Sequence, residues 1–139
     1  MLNVDSIQTG IVIDHIQAGK GMEIYRYLHL DDLACSVAII KNAKSAKMGR
    51  KDIIKIEDTI DLNLDILGFI DPDATVNVIE NGKIYEKRQL ALPQRITNVI
   101  QCKNPRCITS IEQELPHVFQ LVDPERRIYR CIYCEAQQK

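Results

Sequence analysis

The chain has 139 residues, 45% of them hydrophobic and 27% charged, the balance of an ordinary globular protein of one compact domain or two small ones. Eighteen Lys and Arg against nineteen Asp and Glu leave a net charge of -1, which excludes a general polyanion binder and confines any anion site to a local patch. Five Tyr, two Phe and no Trp leave little for base-stacking platforms, and five cysteines stand out. The first residues lack a basic region followed by an apolar stretch, so no secretory signal is expected. The longest uncharged apolar run, residues 33–40, is far short of the ~20 residues that cross a bilayer. A cytoplasmic protein without a membrane span is the expectation.

In chain order, residues 10–16 are rich in β-branched side chains and predict a strand, and residues 21–30, with Met22, Tyr25 and Leu28 at helical spacing, predict a helix. Residues 34–41 and 52–57 predict two more strands. Residues 60–70 carry Leu62, Ile66, Phe69 and Ile70 on one helical face. A strand over 74–80 is followed by Asn81-Gly82, a strong turn signal that returns the chain into a strand at 84–88. The order strand, helix, strand, strand, helix, strand plus one hairpin strand is ferredoxin-like: an α+β fold, an antiparallel sheet with two helices on one face.

Charge is unevenly placed in this half. Lys41, Lys44, Lys47, Arg50, Lys51 and Lys55 have only Asp52 against them, and Glu57, Asp58, Asp61, Asp65, Asp71 and Asp73 follow without a base among them. The first group reads as a solvated basic loop, and the second as acids near the start of a helix, where the dipole favours them. Lys55 differs, because it interrupts an apolar strand. Asp14 and His15 interrupt the first strand, where alternation sends them to opposite faces, Asn77 interrupts Val76-Asn-Val78, and Lys87 lies just past the turn. A carboxylate for ribose hydroxyls, an imidazole and two lysines for phosphates, and Val12, Ile79 and Ile84 to cover a base would together form a nucleotide site. No glycine-rich phosphate loop is present, so ATP hydrolysis and dinucleotide chemistry lack support.

Four cysteines fall near the end: Cys102 and Cys107 with four residues between them, Cys131 and Cys134 with two, the pairs separated by 23 residues. Two such knuckles deliver four sulfurs to one tetrahedral ion. Pro105 and Asn104 suit the first knuckle's turn. Residues 96–139, a 44-residue segment, are near the size at which a chain cannot fold unaided. Structural zinc supplies an apparent ~10 to 16 kcal/mol in small peptides. Four thiolates leave no position for water, so the expected centre is one structural Zn2+; iron suits the same ligands, and a redox Cys131/Cys134 pair would leave the other two thiols unexplained. His117 reads as a surface or partner residue and Cys35 as a small buried hydrophobe.

The blocks Gly10-x-Val-Ile-Asp-His-Ile16, Met48-Gly-Arg-Lys-Asp-x-Ile-Lys-Ile-Glu57, Ala74-Thr-Val-Asn77, Leu92-Pro-x-Arg-Ile96 and Cys131-x-Tyr-Cys-Glu135 together resemble the regulatory chain of aspartate carbamoyltransferase, from about Val4 to Glu135. The resemblance implies a noncatalytic subunit of pyrimidine biosynthesis. Residues 1–95 would bind the nucleotide effectors CTP, UTP and ATP, and residues 96–139 would form a small all-β zinc-ribbon domain docking on the catalytic chain. By position it implies Asp14 for the ribose, His15 and Lys87 for phosphates, Lys55 for ribose and base, and Asn77 near the phosphates. Val12, Ile79 and Ile84 would line the pocket, with backbone at Ser6, Ile7 and Gly82 reading the base edge. The zinc ligands map onto Cys102, Cys107, Cys131 and Cys134, and Asn104 and Glu135 onto catalytic-chain contacts. Arg106 stands where a small amide is familiar, and Gly82 where a larger residue is. The resemblance also implies self-association into regulatory dimers, and a hinge near residues 92–96.

The alternative is a zinc-ribbon nucleic-acid-binding protein. Residues 96–139 carry a net +1, which four thiolates and one dication bring to -1, a poor footprint for phosphates, so no nucleic-acid partner is expected. No nucleophile and base pair, open metal site or carboxylate dyad suggests an enzyme.

Overall fold

The computed structural model of the chain describes residues 7–112 and 114–138, so Ser6 lies outside the described residues. The chain forms two compact units, Met1–Ala91 and Leu92–Lys139. The sequence boundary after residue 95 falls within strand Arg95–Thr97 of the second unit.

The first unit runs β1 (Gly10–Gln17), α1 (Gly21–Tyr27), a short 3-10 turn (Leu30–Asp32), β2 (Val37–Ser45), β3 (Gly49–Ile56), α2 (Leu64–Ile70), β4 (Thr75–Glu80) and β5 (Lys83–Gln89). The sheet order is β2-β3-β1-β4-β5, and every neighbouring pair is antiparallel. This is the ferredoxin-like arrangement with β5 added by a hairpin. Asn81 and Gly82 take φ of 53 and 76, both left-handed, as a tight Asn-Gly hairpin turn requires. Alternation sends Ile11 and Ile13 of β1, Ile54 and Ile56 of β3 and Val76 of β4 to one face, where they meet Ile24 of α1 and Leu67 and Ile70 of α2. Ile13, Ile24, Ile54, Ile56 and Leu67 are 0% exposed. Burying each contributes ~1.5 to 3 kcal/mol, so a one-residue slip that exposed this face would cost too much, and the register is fixed.

Several sequence expectations shift. Helix α1 ends at Tyr27 because His29 turns left-handed, and its buried residues are Gly21 and Ile24, with Met22, Tyr25 and Leu28 half-buried. Helix α2 starts at Leu64, where the Asn63 side chain accepts from the N–H groups of Asp65 and Ile66 at 3.1 and 3.2 Å. The basic stretch is a hairpin, with Lys44 opposite Arg50 and a bulge at Asn42. Asp52, 0% exposed, holds that bulge and the β1–α1 turn together. Its carboxylate accepts from Asn42 N–H at 3.0 Å, Gly19 N–H at 3.1 Å and Gly21 N–H at 3.0 Å. Asp71 closes α2 and is buried, accepting from Gln17 N–H at 2.7 Å; it is not one of the solvated acids near a helix start.

The second unit contains β6 (Arg95–Thr97), a single helical turn α3 (Ile108–Ile111), β7 (Val118–Asp123) and β8 (Ile128–Cys131), in a three-stranded antiparallel sheet of order β6-β7-β8. Its buried apolar residues are few: Ile96, Val118, Phe119, Leu121 and Tyr129 beside three of the cysteines. No helix among the described residues is long and apolar enough to cross a membrane.

Candidate functional site

The two knuckles of the second unit converge. The sulfurs of Cys102, Cys107, Cys131 and Cys134 all lie within 4.8 Å of one another. Cys102 and Cys134 approach to 3.5 Å, and Cys107 and Cys131 to 3.7 Å. A tetrahedral ion with metal–sulfur bonds of ~2.3 Å places its sulfurs roughly 3.8 Å apart, so the donor set fits a four-thiolate metal. Cys102, Cys107 and Cys131 are buried and Cys134 is the half-buried corner.

The turns explain the placement. Asn104 Oδ1 accepts from Arg106 N–H at 3.1 Å, and the Asn104 carbonyl accepts from Cys107 N–H at 3.0 Å and from the Ser110 hydroxyl at 2.8 Å. In the second knuckle Glu135, at φ 65, donates its N–H to Cys131 O at 2.8 Å. Thr109 Oγ1 donates to Cys107 Sγ at 3.1 Å. Burial pushes the Cys102 thiol up to about 12 and raises Cys131. At Cys134 burial is outweighed by the Ala136 N–H, the Asn104 side chain and the neighbouring thiols Cys102 and Cys107, which bring it down to about 7. A dication held here would have to displace protons from Cys102 and Cys131 at neutral pH, so its affinity should rise with pH. His117 is outside the thiol cluster, but it is more than a surface residue: its Nδ1 accepts from Cys102 N–H at 3.1 Å and so supports the first knuckle. Cys35 is half-buried against the core of the first unit, ahead of β2.

In the first unit the sheet face opposite the core gathers the expected nucleotide residues. Val12 lies opposite Lys55 on β3 and Asn77 on β4, and Asn77 lies opposite Lys87 on β5. Directly opposed residues share a face, so Lys55, Val12, Asn77 and Lys87 form one transverse row across four strands, spanning roughly 14 Å. Ile79 lies opposite both Gly10 and Ile84 in an adjacent row, and Asp14 lies opposite Thr75 in another. The face is an open platform, with Ile84 61% exposed. Asn77 Oδ1 is buried and has no hydrogen-bond partner among the described residues.

Simple alternation fails at Asp14 and His15. The β1–β3 register shifts between Ile13 and Ile16, and His15 takes φ 58, so both residues sit in a bulge flanked by buried isoleucines. His15 Nδ1 lies 3.1 Å from Thr75 Oγ1. Asp14 pairs with Lys51 at 2.9 Å. Burial works to raise the Asp14 carboxyl, but the Lys51 ammonium and the His15 N–H outweigh it and hold it below the usual carboxylate range. Ile7 is half-buried, and Gln8 O accepts from Gly82 N–H at 2.9 Å, so the segment before β1 meets the hairpin turn. That bond occupies the Gly82 donor.

Sequence reasoning missed Lys51 and Thr75 as neighbours of Asp14 and His15. The even spacing of Lys51 and Lys55 along β3 was the available signal, hidden by reading Lys51 into a loop. Glu135 is exposed and lines a shallow pocket with Gln120, Val122, Arg130, Cys131 and Ile132. Asn104 is half-buried within the first knuckle and Arg106 is exposed.

Comparison with known proteins agrees with this division. The family model described as aspartate carbamoyltransferase regulatory chain, allosteric domain, matches residues 2–91, and the one described as its metal binding domain matches residues 94–139. The aspartate carbamoyltransferase regulatory chain of Clostridium botulinum is 57% identical over 97% of this chain and 92% of its own length. That of Clostridium acetobutylicum is 54% identical over 100% and 95%, and that of Bifidobacterium longum 49% identical over 99% of each. None of these supports the nucleic-acid-binding alternative. The chain belongs to the aspartate carbamoyltransferase regulatory chain family and is a regulatory, noncatalytic chain with an allosteric domain and a metal-binding domain.

Proposed function

We propose that the chain binds nucleotide effectors, CTP, UTP or ATP, on the outer sheet face of its first unit. It conveys their effect to the catalytic chain of an aspartate carbamoyltransferase complex in pyrimidine biosynthesis. The observation that carries this reading is the transverse row Lys55–Val12–Asn77–Lys87, with Asp14 and His15 in the adjoining bulge. It sets cations on either side of an apolar residue and an amide whose oxygen lacks a partner among the described residues. Phosphates meet Lys87 and His15, the ribose meets Asp14 and Lys55, and Ile79 and Ile84 cover the base. The base edge is read by backbone near Ser6 and Ile7 and by the carbonyl of Gly82, whose N–H is already taken by Gln8 O.

In the second unit one structural Zn2+ holds the four cysteines, and the knuckles present Asn104 and Glu135 to the catalytic chain. Exposed Ile108, Ile111, Val122, Ile132 and Tyr133 give that unit the apolar surface a protein partner covers. Regulation is then a difference in effector affinity between two quaternary states, typically ~1 to 3 kcal/mol. The regulatory chains pair as dimers within the complex. Removing the ammonium in Lys87→Ala lowers CTP and ATP affinity by about tenfold in calorimetry and leaves assembly with the catalytic chain intact. Unchanged affinity removes Lys87, and with it the row, from the site.

A further inference from the structure

Building on the reading above, we propose that the joint through which an effector signal leaves the first unit is the single residue Leu92, clamped on both sides. Before it, Leu90 packs against the core of the first unit. The next residue, Ala91, lies so close to α2 that a Cβ placed on Gly68 would stand 2.1 Å from the Ala91 carbonyl oxygen. Only glycine admits that approach, and Gly68 is buried in the helix. The chain is therefore seated on α2 up to Ala91.

After Leu92 a second clamp begins at once. The Tyr129 hydroxyl donates to Pro93 O at 2.6 Å, and Leu121 N–H donates to Gln94 O at 2.8 Å. Arg95 then pairs with Gln120 as β6 begins. Residues 95 and 96, expected as part of a hinge, are ladder residues of the second unit and lack the freedom a hinge needs. Tyr129 is 0% exposed and stands on β8 two residues before Cys131, so the clamp is anchored in the strand that supplies a metal ligand.

Between the clamps only Leu92 is left. Its own range is narrowed by Pro93, which disfavours the helical region for the residue before it and has its own φ locked by the ring. A joint this short passes a rotation of one unit to the other, whereas a flexible tether would lose it. Tyr129 is thus a positioning residue: its ring fills the core of the second unit, and its hydroxyl fixes where the joint ends.

The test uses the full chain with its metal, alone and assembled with its catalytic chain. Tyr129→Phe keeps the ring and deletes the donor. Hydrogen exchange of the Leu121 amide should then rise about fivefold, while metal content, CTP affinity and assembly stay as they were. In the complex, the CTP-induced shift in aspartate half-saturation should shrink. A second variant, insertion of two glycines after Leu92, should abolish that shift while leaving CTP affinity and assembly unchanged. Unchanged Leu121 exchange in Tyr129→Phe, or a full-size CTP shift in the insertion variant, overturns the joint. If the unmodified complex shows no CTP shift, the regulatory reading falls, and the exchange measurement still decides the clamp.

Discussion

In the unit ending at Ala91, a five-stranded sheet and two helices bury a continuous core from Ile11 to Val76, whereas in the unit from Leu92 onward a three-stranded sheet covers a handful of apolar residues next to four thiols. The first can stand on apolar burial, which leaves its outer face free to carry Lys55, Asn77 and Lys87. The second has four thiols placed to hold a metal, and on the proposed reading that metal fixes its surface. The contrast teaches that the proposed effector site and the proposed docking surface rest on different physics, apolar burial in one and thiol–metal bonds in the other, so each should be open to perturbation without the other.

The largest effect that would break this contrast comes from the cysteines. Cys107→Ser removes a buried thiol of the four-cysteine cluster, and if that cluster holds a structural zinc, most of the ~10 to 16 kcal/mol such an ion provides goes with it. Amide NMR signals of the second unit should collapse to unfolded positions while those of the first remain dispersed. Dispersion kept in both units would mean that the metal is dispensable. A smaller effect is expected from Ile13→Ala, which deletes a 0% exposed side chain in the first core. It should cost ~2 to 5 kcal/mol in chemical denaturation of that unit without releasing metal. Metal release by this variant would show that the units are not independent.

The smallest effect concerns the Asp14–Lys51 pair, which is partly exposed and contributes at most about 1 kcal/mol. Asp14 is held below the ordinary carboxylate range, so this contribution is present above that range and is lost as pH falls through the depressed value. In Lys51→Met a carbon-13 titration should show the Asp14 carboxyl moving upward. An unshifted titration would assign its depression to the His15 N–H instead.

Much of this was legible from local pattern. Short runs rich in β-branched residues marked β1, β3 and β4, Asn81-Gly82 marked the hairpin, and the cysteine spacing marked the thiol cluster, because each signal is written within a few residues. What escaped depends on distant partners. The bulge that puts Asp14 and His15 side by side lies where the β1–β3 register shifts, and the one at Asn42 is held by Asp52, whose burial rests on N–H groups from three separate positions. A single sequence showed Asp52 and Asp71 only as acids in a charged stretch. Helix α2 begins at Leu64, four residues after the apolar spacing predicts, because the Asn63 side chain caps it there while Leu62 continues the same apolar face upstream. His117 looked idle because its partner is a backbone N–H.

On the proposed reading the nucleotide face belongs to the first unit alone, and the metal is needed for the second unit and its docking but not for nucleotide binding. The most direct measurement is a calorimetric CTP titration of the full chain before and after the metal is stripped, with assembly on the catalytic chain followed in parallel. The account predicts CTP affinity unchanged within about twofold, a difference of ~0.4 kcal/mol, together with loss of assembly. Loss of CTP binding along with the metal, or assembly that survives stripping, would contradict it.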